Sequence, residues 1–171
     1  MNFEDLLFQR RSIRQYTHES IPKEKLQKIL QAGLLAPSSR NKKPCQFYVI
    51  HKKDILEQLG QIKPSGAFIG DANAAIIVMV DTSLSDVWIE DCSIAMSYMQ
   101  LMATALDIGS CWVQMRKRKN EHGKDAEEVV KEMIGVPNTY HLVGILSLGI
   151  PAQTVSPHTE AELDISKIHE I

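Results

Sequence analysis

The chain has 171 residues, 44% hydrophobic and 23% charged, the balance of an ordinary globular protein, and it can bury roughly two-thirds of its unfolded surface as one domain over residues 1–171. A net charge of -2 at pH 7 gives no overall attraction to nucleic acid or anionic lipid, so any anion site has to be local. Three cysteines without C-x-x-C spacing argue against a disulfide framework or a zinc knuckle, and nothing in the pattern suggests a leader or a membrane span, so a cytoplasmic location is expected.

Asn2 is placed to cap a short helix in which Phe3, Leu6 and Leu7 share a face and Glu4 and Asp5 occupy the favourable first turn. That helix runs into Arg10-Arg11-Ser12-Ile13-Arg14. Guanidiniums present planar forks of donors, so clustered arginines beside a hydroxyl suit a phosphate monoester, although a solvated basic turn has the same composition. A second helix is predicted over 22–35, where Leu26, Ile29, Leu30 and Leu34 recur at helical spacing until Pro37. Strands are predicted at 47–51 and 75–80, with a helix at 54–61 between them.

The longest helical pattern spans 86–106, and its second half is apolar on almost every face. It therefore predicts burial all round, either inside one chain or against a second subunit. Gly109 stops it, a strand follows at 110–115, and residues 116–124 form a basic polar loop. A helix at 125–134 is closed by Gly135 and Pro137, a strand runs over 142–148, and residues 151–171 read as an extended C-terminal arm. Strands separated by helices point to an α/β sheet flanked by helices.

Signatures of independent chemistry are missing. There is no G-x-S-x-G, H-E-x-x-H or G-x-x-x-x-G-K-[ST] sequence, no G-x-G-x-x-G after a strand, and the six histidines are scattered singly, so no metal site is expected. A bound cofactor is the expected source of reactivity in an enzyme built this way. The segment Ala36-Pro37-Ser38-Ser39-Arg40-Asn41-Lys42-Lys43-Pro44-Cys45-Gln46-Phe47 adds small donors and acceptors in an irregular stretch between helix and strand, suited to a polar heterocycle or equally to a plain turn-rich loop.

Taken together, Arg10 to Arg14, the A-P-S-S-x-N-x-x-P-x-x-F segment, Ala105-Leu106-Asp107-Ile108-Gly109-Ser110-Cys111-Trp112 and Leu148-Gly149-Ile150-Pro151-Ala152 stand in the order and spacing of the FMN-dependent nitroreductase family, which the chain closely resembles. The resemblance implies an α+β fold with a mixed, mainly antiparallel sheet wrapped by helices. It also implies a homodimer with FMN at the subunit interface and the arm 151–171 packed on the partner. Carried over by position, Arg10, Arg11, Ser12 and Arg14 would clamp the FMN phosphate. Pro37, Ser38, Ser39 and Asn41 would come from the other subunit, with Gln46 supporting that edge, and Gln114 and Met115 would offer backbone amides to the flavin. The implied activity is ping-pong hydride transfer from NADH or NADPH to small electron-poor acceptors such as nitroaromatics or quinones. A flavin-binding sensor or redox-partner module, and another FMN reaction on the same scaffold such as reductive dehalogenation or enone reduction, stay open. Nucleic acid and membrane are not expected partners.

The chain departs from the family pattern at three places. Cys45 stands where many members have Trp, the arm offers His158 and Lys167 where many have a Lys or Arg pair, and the loop from Gln114 to Lys124 is basic where better-known members carry glycine.

Overall fold

The computed structural model describes residues 2–171. Helix α1 (Phe3–Gln9) is opened by a capping box in which Asn2 Oδ1 accepts the Asp5 N–H at 2.8 Å. Next come α2 (Lys23–Leu35), β1 (Cys45–Ile50), α3 (Lys53–Gln61), a 3-10 stretch at Pro64–Asp71, β2 (Ala74–Asp81), α4 (Trp88–Ala105), β3 (Gly109–Gln114), α5 (Ala126–Ile134) and β4 (Tyr140–Gly149). The predicted elements are all present, with ends shifted by up to two residues. The 3-10 stretch has no periodic signal; its close fit to α3 depends on Gly60, where a Cβ would stand 2.8 Å from Ala67 O.

The sheet has the order β1-β2-β4-β3, and every neighbouring pair is antiparallel. The mixed character comes from a parallel bridge between Ser12, which lies outside the named strands, and Ser110 of β3. β2 is buried on both sides, so its alternate side chains feed two cores. Ile76, Val78 and Val80 face α2 and α4, packing on Ile29, Met96, Met99 and Ala103, while Ala75, Ile77 and Met79 face α3 and α5, packing on Leu56, Leu59, Ile69 and Val130. The β2–β4 register slips between Ile77 and Met79, and the phase of β4 changes across Gly144, whose missing Cβ leaves room for the Trp112 ring.

α4 is not covered on every face. Cys92, Ala95, Met96, Met99 and Ala103 are buried, but Tyr98 is 42% exposed and, with Phe3, Leu6, Ala32, Leu101, Met102 and Ala105, lines an apolar groove of about 320 Å³. The all-round apolar pattern therefore exceeds what one chain covers.

The C-terminal arm divides into two parts. Residues 151–158 run beside the chain's own N-terminal segment, with Ala152 N–H donating to Gln15 O at 2.9 Å, His158 N–H to Phe8 O at 2.8 Å and Arg11 Nη1 to Ser156 O. Beyond them Leu163, Ile165, Ile168 and Ile171 are exposed.

Tyr16 pins the same segment to the sheet. Its hydroxyl lies 2.6 Å from Ile13 O and 2.8 Å from Ser147 Oγ, and burial pushes its pKa up, well above the ordinary phenol value. The ring fits because residue 149 is glycine: a Cβ there would lie 2.5 Å from Tyr16 Cδ1. Gly149→Ala is expected to lower stability by ~1–3 kcal/mol through overpacking. Tyr16→Phe should cost about 1–2 kcal/mol through its lost hydrogen bonds, both variants being read from urea unfolding midpoints.

Candidate functional site

β3 lies at the edge of the sheet, so its outward peptide groups need partners from elsewhere. Ser110 O accepts the Ile13 N–H at 2.9 Å, which docks the segment after α1 alongside the strand. Buried at that junction, Ser110 Oγ has no hydrogen-bond partner among the described residues. This docking carries Arg10, Ser12 and Arg14 to one place. All three act on the Cys111 thiol, whose pKa is raised by burial and partly pulled back by Arg14, Ser12 and Arg10. Arg14 is held from two directions, its N–H donating to Gln153 Oε1 at 3.0 Å and its guanidinium lying 5.8 Å from the centroid of the Phe68 ring. Arg11 is separate from the cluster, turned to Ser156 O on the arm.

Lys63, at the start of the 3-10 stretch, joins the cluster without having been singled out from the sequence. Its Nζ donates to Gln114 O at 2.8 Å. Desolvation lowers the Lys63 pKa, and Arg118 pushes it further the same way. The basic loop after β3 therefore supplies at least one charge to this edge. Arg10, Arg14, Lys63 and Arg118 have no carboxylate within ion-pair distance among the described residues. Four unpaired cations on one sheet edge are an arrangement suited to a multiply charged anion.

The two amides named from the sequence differ. Gln114 O points out of the sheet to Lys63, so the Gln114 N–H points out along the same open edge. Met115 N–H donates to Val143 O at 3.0 Å, and its side chain is fully buried in the α3/α5 core. Sequence position does not reveal this difference because the period-two alternation along an edge strand decides which amide is left open.

The second constellation lies elsewhere. Pro37 and Ser38 follow α2 and line a small cavity with Cys45, Phe47, Asp91 and Ala95. Ser38 Oγ accepts the Lys43 N–H at 2.7 Å, and Ser39 N–H donates to Asp91 Oδ1 at 2.8 Å. Asn41 is exposed with left-handed backbone at φ 54°. Gln46 is turned to the α3/α5 face, where its Nε2 donates to Tyr140 Oη at 2.9 Å, so it does not join Pro37–Asn41. Cys45 faces the other way, against the buried Cys92; their hydrogen bond and burial raise the Cys92 pKa.

β1 and β3 are the two opposite edges of the sheet, about 14 Å apart at three strand spacings. Within one chain the arginine cluster and the Pro37–Asn41 loop flank opposite edges, and the structure does not bring them together.

No helix among the described residues is long and apolar enough to cross a membrane, and no group of three or more His, Cys, Asp or Glu is arranged to hold a metal ion.

Comparison with known proteins agrees with this architecture. An FMN-dependent nitroreductase from Clostridium difficile R20291 superposes with a TM-score of 0.94 at 40% identity, over 98% of both chains. A provisionally assigned nitroreductase from Desulfovibrio desulfuricans, solved in complex with FMN, gives 0.78 at 25% identity over 99% of both chains. An Archaeoglobus fulgidus protein, provisionally named as an NADH dehydrogenase/NAD(P)H nitroreductase, is 34% identical over 150 residues, covering 85% of this chain and 83% of its own. The profile of the Nitroreductase family matches residues 7–76 and 62–150, spanning both the arginine edge and the Pro37–Asn41 loop, and the chain belongs to that family.

Proposed function

We propose that this chain is an FMN-dependent NAD(P)H oxidoreductase that works as a homodimer, with each flavin held between subunits. The observation that carries the reading is the set of unpaired cations on the β3 edge, Arg10, Arg14, Lys63 and Arg118, beside the outward Gln114 amide. The donor set fits FMN. Arg10, Ser12 and Arg14 would hold a phosphate dianion through charge-assisted bonds. Lys63 and the Gln114 N–H would place positive charge and a donor at the edge of the ring, and Met115 would act only as core packing below it. Arg11 would hold the arm at Ser156 O and contribute charge at longer range.

Bound FMN supplies hydride chemistry, taken from a nicotinamide donor and passed to a small electron-poor acceptor such as a nitroaromatic or quinone. The chain's part is electrostatic: fixed donors at the open edge favour negative charge on the bound group without reorganising when it develops. The basic loop after Gln114 would also attract the phosphates of the donor.

Two features support the shared site. The loop Pro37–Asn41 is on the wrong edge to meet its own chain's arginine cluster, so a partner has to supply it. The groove lined by Phe3, Leu6, Tyr98, Leu101 and Met102, together with exposed Leu163, Ile165, Ile168 and Ile171, is apolar surface that a second subunit would cover. Because residues 151–158 are tied to their own chain, the stretch that reaches the partner would be 159–171.

The purified protein should show the two visible absorbance bands of oxidised flavin and bleach within seconds when NADH or NADPH is added anaerobically. A flavin that forms but resists both donors would instead indicate a sensor or partner-dependent module. Arg10→Ala and Arg14→Ala should each raise the FMN Kd roughly 10- to 100-fold, as loss of one charge-assisted bond at about 1.5–3 kcal/mol implies; unchanged Kd in both would remove the phosphate assignment. Heterodimers of an Arg10→Ala protomer with an Asn41→Ala protomer carry both lesions in one site and none in the other. They should bind one FMN at wild-type affinity, and loss of both sites would contradict sharing.

A further inference from the structure

Asp91 is a carboxylate with 2% of its surface exposed, in the first turn of α4, and no cation lies within ion-pair distance of it among the described residues. Its charge is held by directed donors and by the positive end of the helix. Oδ1 accepts the Ser39 N–H at 2.8 Å and Oδ2 accepts the Ser85 hydroxyl at 2.7 Å. One buried group thus joins the loop after α2, fifty-two positions away, to α4 and the turn that leads into it.

The loop it reaches is held in an unfavourable backbone shape. Arg40, Asn41 and Lys43 have φ values of 51°, 54° and 47°, the left-handed region in which a side chain meets the backbone. Such conformations persist where neighbours enforce them. Besides Asp91, the contacts that hold the loop are Asn41 N–H to Ser38 O at 3.0 Å, Lys42 N–H to Ser39 O at 3.1 Å, Ser38 Oγ to Lys43 N–H at 2.7 Å and Lys42 Nζ to Leu84 O at 2.8 Å, local or exposed. Among these side-chain contacts of the described residues, the one to Asp91 is anchored inside the protein.

We propose that Asp91 is the positioning residue of the Pro37–Asn41 loop, fixing through the Ser39 amide and the Ser85 hydroxyl the backbone shape in which that loop is offered to the flavin of the partner subunit. The part concerning flavin rests on the function proposed above; the part concerning the loop does not. Asp91 touches neither cofactor nor substrate in this role and acts through Ser39.

The test uses two readouts on the full-length protein, since trypsin cuts after Arg40 and Lys42. In the flavin-free protein, Asp91→Ala should speed cleavage at those two positions about tenfold, while cleavage at Lys28 or Lys167 stays as in the wild type. In the reconstituted protein the same variant should raise the FMN Kd by about tenfold. Asp91→Asn keeps an oxygen for the Ser39 N–H and should restore most of both properties; Ser85→Ala, which leaves Asp91 one donor short, should fall between wild type and Asp91→Ala. These two variants also answer the question if Asp91→Ala does not fold. An Asp91→Ala protein that melts at lower temperature, yet is cut no faster at Arg40 and Lys42 and binds FMN as tightly as the wild type, overturns the proposal, as does an Asp91→Asn protein indistinguishable from Asp91→Ala. If the wild-type protein takes up no FMN but the cleavage pattern is as expected, the positioning role stands and the flavin function falls.

Discussion

An edge strand leaves half its peptide groups facing outward, and the way β3 satisfies them organises most of what is functional in this molecule. Ser110 O takes the Ile13 N–H, which lays the arginine-bearing segment along the sheet. Gln114 O takes the Lys63 ammonium, which draws in the 3-10 stretch and Phe68 with it. The Gln114 N–H, between these two attachments, is left open. The proposed site for an anion and a polar ring would thus be assembled from the unmet hydrogen-bonding needs of one short strand, its charge supplied by the elements that answer them.

Concentrating cations in this way opposes folding of the empty protein. Lys63 is already disfavoured in its charged form by desolvation and by Arg118. Binding a dianion reverses the sign of that contribution, so occupancy and stability are linked by mass action. The opposite edge is organised differently: there the ordering element is the buried Asp91 carboxylate, and strain in the loop backbone replaces charge repulsion as the local cost.

Periodicity and punctuation were enough to locate the helices and strands, because cores on both faces of β2 demand an unbroken apolar run in the strand and apolar stripes on the helices packed against it. The arginine run and the A-P-S-S segment were legible for a different reason: local clusters of rare composition carry their chemistry with them. Lys63 carried no such signal. It lies in a stretch without periodicity, and its role comes from contact with a residue fifty-one positions away. Asp91 carried no signal either: its burial depends on the loop after α2, fifty-two positions away, and on the turn just before α4. The pattern on α4 recorded which residues are apolar, not which chain covers them, and so left Tyr98 and Met102 undecided. Strand order is equally silent in sequence, yet it is what separates the two halves of the candidate site.

The pairing of residues 8–17 with 150–158 joins segments from opposite ends of the sequence, Arg11 and Ser156 being 145 positions apart. Two of the groups that hold the arginine segment thus come from far along the sequence: Gln153 Oε1 is 139 positions from the Arg14 N–H and the Ser156 carbonyl 145 from Arg11. Making these contacts closes loops of well over a hundred residues, an entropic cost that places them late in folding. The Ile13 contact to Ser110 of β3 lays the arginine segment on the sheet, and residues 151–158 then lock it there from the far end of the sequence.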